Sequence, residues 1–149
     1  MKFCEKYTDN GYIISDDCRK LIVLRDKGTS TYIGENDNEK RIIVYQIDNG
    51  IIKSQSVVKC DYGLYNLNED IIYLIELKGT DYDQAIEQII STINLLITQC
   101  DIIRVNARIV LTKVRTPEIG TTKEQRLKFL LRKYNGTLEK KSKVMTEKI

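Results

Sequence analysis

The sequence predicts an α/β protein in which helices flank a mixed central β-sheet. The chain has 149 residues, which is enough for one domain with a sizeable core. Residues 70–79 (DIIYLIELKG) are apolar on both alternating faces, as is typical of a central strand that is covered on both sides. Helical and then alternating apolar patterns follow this strand, and the order strand, helix, strand, helix indicates an α/β sandwich.

The first half of the chain predicts short strands and loops. Residues 21–24 form an apolar run that we interpret as a strand, and residues 26–40 are rich in Gly, Ser, Thr, Asn and charge, which predicts a loop. A hairpin is expected next. Residues 41–47, which are rich in β-branched and aromatic side chains, predict its first strand, Asp48-Asn49-Gly50 predicts the turn, and residues 51–52 resume the strand pattern. Residues 57–65 predict a further strand.

The second half predicts two helices around one more strand. Thr80 or Asp81 can cap a helix whose apolar positions recur at helical spacing as far as residue 97. Residues 102–112 alternate polar and apolar side chains, which predicts a strand with one polar face. An amphipathic helix is expected at residues 123–134. We therefore assign residues 1–135 to a single domain and residues 136–149 to a flexible basic tail.

The composition excludes several kinds of chemistry. The chain has no histidine, which rules out Ser-His and Cys-His nucleophile pairs and histidine-ligated zinc. Its four cysteines contain no C-x-x-C pair, so a cysteine metal site is disfavoured and free thiols are expected. The start of the chain does not read as a secretory signal, and no apolar run is long enough to span a bilayer. We therefore expect a cytoplasmic protein with no membrane partner.

The net charge of +3 conceals an uneven distribution. Residues 121–149 hold nine Lys or Arg and three Glu, whereas the rest of the chain is mildly acidic. A basic end is typical of proteins that bind polyanions, although solvated surface charge explains it equally well. Nucleic acid is therefore one candidate partner, and the residues that would contact it are Arg104, Arg108, Lys113, Lys123, Arg126 and Lys133.

Two charged residues end the central strand. Glu76 and Lys78 share one face of this otherwise apolar segment, which is costly unless they are paired, bind a metal or open onto a cleft. A hairpin with the preceding strand would return Glu76 close to Asp61. Two carboxylates beside a backbone carbonyl make an oxygen site suited to Mg²⁺ or Mn²⁺. The alternative is a buried structural ion pair.

This arrangement resembles the PD-(D/E)xK superfamily of metal-dependent nucleases, which includes restriction enzymes and Holliday-junction resolvases. The resemblance covers residues 57–113: Asp61, then fourteen residues, then Glu76-Leu77-Lys78 and Gly79, a helix and a strand. The stretch KCDYGLYN…YLIELKGTDYDQAIEQI is also similar to uncharacterised microbial and mobile-element proteins that carry C-D…IELKG…A-x-x-Q. Cys60 stands where the superfamily has its name-giving Pro. A second E-x-K, Glu139-Lys140-Lys141, is set aside because the tail is not expected to form a strand.

The resemblance implies a restriction-endonuclease-like core and a division of roles. Asp61, Glu76 and the carbonyl of Leu77 would hold Mg²⁺ or Mn²⁺, and Lys78 would orient water or stabilise charge on the phosphate. Gln88 and Glu39 are candidate supporting residues. The implied function is divalent-metal-dependent hydrolysis of phosphodiester bonds, with DNA as the expected substrate, although the sequence leaves DNA versus RNA open.

Two other functions stay open at this point. One is a catalytically inactive nuclease-fold module that binds nucleic acid or a protein, and the other is a small immunity or adaptor protein with a structural ion pair. The sequence also leaves open whether cleavage is endo or exo, which sequences are preferred, which host pathway is served, and whether the chain forms a homodimer or joins a larger complex.

Overall fold

Two β-sheets face each other, and helices cover the far side of the larger sheet. The computed structural model describes residues 1–26, 28, 30–77, 79–113 and 121–149. The helices are α1 (Phe3–Lys6), α2 (Tyr82–Thr92), which continues as a π-helix (Ile93–Ile97), and α3 (Thr122–Arg132). The strands are β1 (Ile13–Asp17), β2 (Leu21–Arg25), β3 (Thr31–Glu35), β4 (Ile42–Gln46), β5 (Tyr62–Asn66), β6 (Ile71–Leu77), β7 (Arg104–Leu111), β8 (Leu138–Ser142) and β9 (Val144–Lys148).

The larger sheet is mixed, which confirms the predicted α/β class, although the described helices cover only one of its faces and the small sheet covers the other. It has six strands in the order β1-β4-β5-β6-β7-β8, and the smaller sheet has three in the order β2-β3-β9. Strands β1, β4, β5 and β6 pair antiparallel, whereas β6, β7 and β8 run parallel and are joined through the helices α2 and α3. The start of β5 therefore lies beside the ends of β6 and β7. We call this border of the sheet the site edge.

Strand β6 is buried along its whole length, as its sequence predicts. Ile72 and Leu74 pack with the apolar faces of α2 and α3, and β-alternation places Glu76 on the same side. The opposite set, which includes Ile75 and Leu77, packs against the small sheet. Two cores thus meet at β6, and Glu76 ends the row that faces the helices.

The predicted hairpin at residues 41–52 is wrong in its second strand. Asn49 has φ +58°, and a Cβ on Gly50 would lie 2.0 Å from the carbonyl oxygen of Gln46, so the turn needs these residues. After the turn, Ile51 and Ile52 fold back to donate N–H bonds to the carbonyls of residues 46 and 47. Strand β4 instead pairs with β1 and β5, and β5 begins only at Tyr62.

Two segments that were expected to be a loop and a tail form strands instead. Residues 31–35, expected in a loop, form β3 at the centre of the small sheet. Residues 136–149, expected to be a flexible tail, contain the whole of β8 and β9, which pair parallel with β7 and β3. The backbone hydrogen bonds of these pairings stabilise the strands, and they could not be predicted from a segment rich in charged side chains. Glu139-Lys140-Lys141 therefore lies on a strand, although the Glu139 side chain is 54% exposed.

The remaining predicted elements agree closely with the structure. Helix α2 begins one residue after Asp81, whose carboxylate accepts the N–H of Gln84 at 3.0 Å as an N-cap. Strand β7 and helix α3 lie within their predicted ranges to within one or two residues. Among the described residues, no helix is both long enough and apolar enough to cross a bilayer.

Candidate metal centre

Asp61 and Glu76 come together at the site edge. The β5–β6 register pairs Tyr62 with Ile75, so that Asp61 stands opposite Glu76 one residue further on. Beyond this register pair, the bonds between the two segments run from backbone amides to side-chain carboxylates. The N–H of Asp61 donates to Glu76 Oε1 at 3.0 Å, and the N–H of Leu77 donates to Asp61 Oδ2 at 2.9 Å. Each carboxylate is therefore held by an amide of the opposite chain segment.

The two carboxylates differ in their access to solvent. The Glu76 side chain is fully buried, whereas Asp61 is half-buried. Burying a charged carboxylate is costly, and a hydrogen bond from a backbone amide offsets part of that cost. Because Asp61 is the more exposed of the two, a molecule in solution reaches it first.

Helix α2 fixes the segment that carries Asp61. The N–H of Cys60 donates to Thr92 Oγ1 at 2.9 Å, and the Thr92 hydroxyl donates to the carbonyl of Gln88 at 2.8 Å. The Gln88 side-chain amide donates to the carbonyl of Lys59 at 3.1 Å. Gln88 therefore positions the residues before Asp61. Thr92 was not singled out in the sequence, because its role depends on how α2 packs.

On its other side, Asp61 is held by the turn after β4. The carbonyl of Asp61 accepts the N–H of Ile47 at 2.9 Å and the N–H of Asp48 at 3.3 Å. Asp48 itself lies 3.5 Å from the buried ammonium of Lys59, which also donates to the carbonyl of Ser54. Contacts from β4, β6 and α2 thus fix the backbone around Asp61.

Acidic side chains near this pair act on the neighbouring Cys60 and Tyr62. Burial raises the pKa of the Cys60 thiol, and the charges of Glu76 and Asp61 raise it further, so the neutral thiol is favoured. The pKa of the Tyr62 hydroxyl is raised by burial and, to a smaller degree, by Asp61, Asp26 and Asp48. Asp61, Glu76, Asp26 and Asp48 are thus the acidic side chains that act on these two groups, and the Lys59 ammonium lies 3.5 Å from Asp48.

The donor set fits a hard divalent cation. Two carboxylates and a peptide carbonyl are all oxygen donors, and Mg²⁺ is commonly held by one or two carboxylates while it keeps several waters. Within the described residues there is no group of three or more Asp, Glu, Cys or His side chains placed to hold a metal. The candidate centre is thus the pair Asp61 and Glu76 with the carbonyl of Leu77.

Glu39, another candidate residue, lies away from the carboxylate pair. Glu39 is exposed, in the turn before β4, and the register Ile42↔Asn66 places that end of β4 away from Asp61. The structure therefore does not bring Glu39 to the carboxylate pair. Lys78 lies outside the described residues.

Arg108 is not a surface contact for nucleic acid, contrary to the prediction. Its side chain is buried, where Nε donates to Glu147 Oε2 at 2.7 Å and Nη1 donates to the carbonyl of Thr137 at 2.9 Å. Strand β7 has the predicted polar face, but the small sheet packs over the part of it that carries Arg108. Arg104 is exposed, but it pairs with Ile71 in register, at the end of β6 remote from Glu76.

The remaining basic candidates are spread over the surface. Lys113 is exposed directly after β7, at the site edge. Lys123 pairs with Glu87 at 2.5 Å, Arg126 is exposed on α3, and Lys133 follows α3 with its ammonium 5.2 Å from the Phe129 ring centroid. Of the six predicted contacts, Lys113 is the one that follows a strand end at the site edge.

Comparison with models of known protein families, with curated proteins and with solved structures found no match to this chain.

Proposed function

We propose that the protein is a divalent-metal-dependent nuclease with a restriction-endonuclease-like core, which hydrolyses phosphodiester bonds in DNA using Mg²⁺ or Mn²⁺. The observation that carries this proposal is the reciprocal pair of hydrogen bonds between Asp61 and the Glu76-Leu77 segment. These bonds hold two carboxylates opposite each other at the end of a buried hairpin. The order of elements after this pair, strand, helix and strand, supports the same reading.

Each residue has a defined part in this proposal. Asp61, Glu76 and the Leu77 carbonyl would hold the metal, which on binding lowers the pKa of a water and stabilises charge on the phosphate. The Leu77 amide fixes one oxygen of Asp61, and the Asp61 amide fixes one oxygen of Glu76, so both ligands are oriented before a metal arrives. Lys78 would orient the attacking water or stabilise the charge that develops on the phosphate.

A second function is favoured by the same two hydrogen bonds. They would equally fasten the strand ends in a protein that has no metal, such as an inactive nuclease-fold module or a small adaptor. The full burial of Glu76 fits that structural role. Cleavage and metal binding decide between the two functions.

The test is a cleavage assay with plasmid, single-stranded, junction and RNA substrates in Mg²⁺ and in Mn²⁺. Asp61→Asn and Glu76→Gln are the informative variants, because each keeps an oxygen that can accept the same backbone N–H and removes the charge. We expect the wild type to cleave at least one substrate and both variants to lose that activity. Lys78→Ala should lower the rate by about 100-fold or more.

The control is Glu139→Gln, which alters the exposed second copy of E-x-K on β8 and should leave cleavage unchanged. The proposal fails if the wild type cleaves none of the substrates with either metal. It also fails if Asp61→Asn cleaves as fast as the wild type.

A further inference from the structure

Strand β2 is an open sheet edge that lacks the protection seen on the other edges. Among the described strands, β1, β8, β2 and β9 form the edges of the two sheets. Strand β1 has a bulge between Ile13 and Ser15 and two acidic residues, and charged side chains fill β8 and the end of β9. Such features normally prevent edge-to-edge pairing. Strand β2 (LIVLR) has an unbroken register with β3 and no charge before Arg25.

The backbone groups on the open side of β2 can be identified from its ends. The N–H of Asn36 donates to the carbonyl of Lys20 at 2.8 Å, and the N–H of Asp26 donates to the carbonyl of Ser30 at 3.3 Å. Even-numbered residues of this segment therefore bond to β3. Because the bonding direction alternates along an antiparallel strand, the N–H and C=O groups of Leu21, Val23 and Arg25 point to the open edge.

We propose that β2 pairs antiparallel with β2 of a second copy of this chain, across a two-fold axis at Val23. This pairing joins two three-stranded sheets into one sheet of six strands. It sets Val23 against Val23, and Leu21 against Arg25, so the outward backbone groups of both strands become hydrogen-bonded. An interface of this kind uses the same patch on both subunits, as the commonest homodimers do.

The side chains are complementary in the same register. On the core side, Ile22 of one copy lies opposite Leu24 of the other, and both are already buried within their own subunits. Beyond them, Lys20 lies opposite Asp26 of the second copy at each end of the seam. Among the described residues Lys20 has no ion-pair partner within its own chain, so the second copy supplies one.

The outer face of the seam is apolar as well. Val23 is 45% exposed and Leu21 is 56% exposed, although most residues of their type are buried in folded proteins. Pairing would cover Val23 with its symmetry mate and Leu21 with the aliphatic part of Arg25. The second copy therefore hydrogen-bonds the outward backbone groups, gives Lys20 an ion-pair partner and covers exposed apolar side chains.

The first test measures mass in solution by light scattering and sedimentation equilibrium, from about 1 to about 100 µM because a dimer depends on concentration. The wild type should have twice the chain mass of 17.3 kDa. Val23→Lys should be a monomer, since two ammonium groups would meet at the axis. Val144→Lys is the matched control, because Val144 is a 50% exposed valine on the other edge strand, and it should remain a dimer.

The second test traps the register covalently. In a hydrogen-bonded antiparallel pair the Cα atoms are about 5.5 Å apart, which suits a disulfide. Val23→Cys, in a Cys18→Ser background, should form a cross-linked dimer when oxidised with diamide, and Val144→Cys should not. A wild type that stays monomeric at every concentration overturns the proposal, as does Val23→Lys that remains dimeric. If β2 binds only an unrelated protein, the purified wild type is also monomeric, and this outcome overturns the proposal as well.

Discussion

The buried ion pair between Arg108 and Glu147 makes the C-terminal strand a measurable part of the fold. The Arg108 side chain is 6% exposed and that of Glu147 is 16% exposed, and the two are 2.7 Å apart. Glu139 also approaches Arg108, but at 3.9 Å and with its side chain 54% exposed. The two glutamates therefore form a matched pair, of which one is buried against the arginine and the other is solvated.

Glu147→Ala should destabilise the protein strongly, because it leaves the Arg108 charge buried without its close partner. Removing one member of a buried ion pair costs about 3–5 kcal/mol. Arg108 keeps its bonds to Thr137, so we expect the lower end, about 3 kcal/mol. For a chain of this size that corresponds to a melting temperature lower by about 6–12 °C.

Glu139→Ala should change the free energy of unfolding by less than about 1 kcal/mol, because an exposed ion pair contributes little. Thermal melting and urea unfolding of the wild type and both variants provide the measurement. Equal and small effects of the two substitutions would refute the reasoning. They would show that β9 is not seated against Arg108 and that residues 136–149 behave as the flexible tail that the sequence suggests.

Further predictions concern packing and pH. Gly136→Ala should destabilise by about 1–3 kcal/mol or more in urea unfolding, because its Cβ would lie 1.5 Å from the carbonyl oxygen of Val105, whereas Gly11→Ala should have little effect. Burial raises the pKa of Tyr45 and Tyr65 above the usual value near 10, so the folded state favours their neutral form. Their contribution to stability is complete below about pH 10 and is lost as the pH rises further, so urea midpoints should fall from about pH 10 upward. Midpoints that stay constant to about pH 11 would contradict this.

Strand β6 and the helices could be predicted because their signals are local. Strand β6 is apolar on both faces, and α2 combines an N-cap at Asp81 with a helical apolar period. Strand β9 could not be predicted in this way. Its partner β3 lies more than 100 residues earlier in the chain, and the short VMTEK sequence of β9, which ends in Glu147 and Lys148, also suits a solvated tail. Backbone pairing with a distant strand is not visible in a local pattern.

In the candidate site, too, the local features could be predicted from the sequence and the features that depend on distant segments could not. The approach of Asp61 to Glu76 follows from a hairpin between adjacent strands, and the structure places the two residues opposite each other. That backbone amides bind both carboxylates could not be predicted, because it depends on where the backbone hydrogen bonds between β5 and β6 end. The alternation in β7 correctly gave Arg108 a polar face, but it could not show that the small sheet covers that face.

Metal response in the folded protein separates the two proposed functions without a substrate. If Asp61 and Glu76 converge to hold a metal, the metal-free protein contains like-charge repulsion, so Asp61→Asn should keep or raise its stability. Both Asp61→Asn and Glu76→Gln retain an acceptor for the backbone N–H, so the comparison isolates the charge. If the carboxylates are purely structural partners of a buried cation, each substitution should instead cost about 3–5 kcal/mol.

The most direct measurement is therefore the melting temperature of the wild type, Asp61→Asn and Glu76→Gln with and without Mn²⁺. A metal at a hundred times its dissociation constant adds about 2.7 kcal/mol to the free energy of unfolding. We predict that Mn²⁺ raises the melting temperature of the wild type by about 5–10 °C and leaves both variants unchanged. A wild type that does not respond to Mn²⁺, together with a large loss of stability in both metal-free variants, would contradict the metal centre.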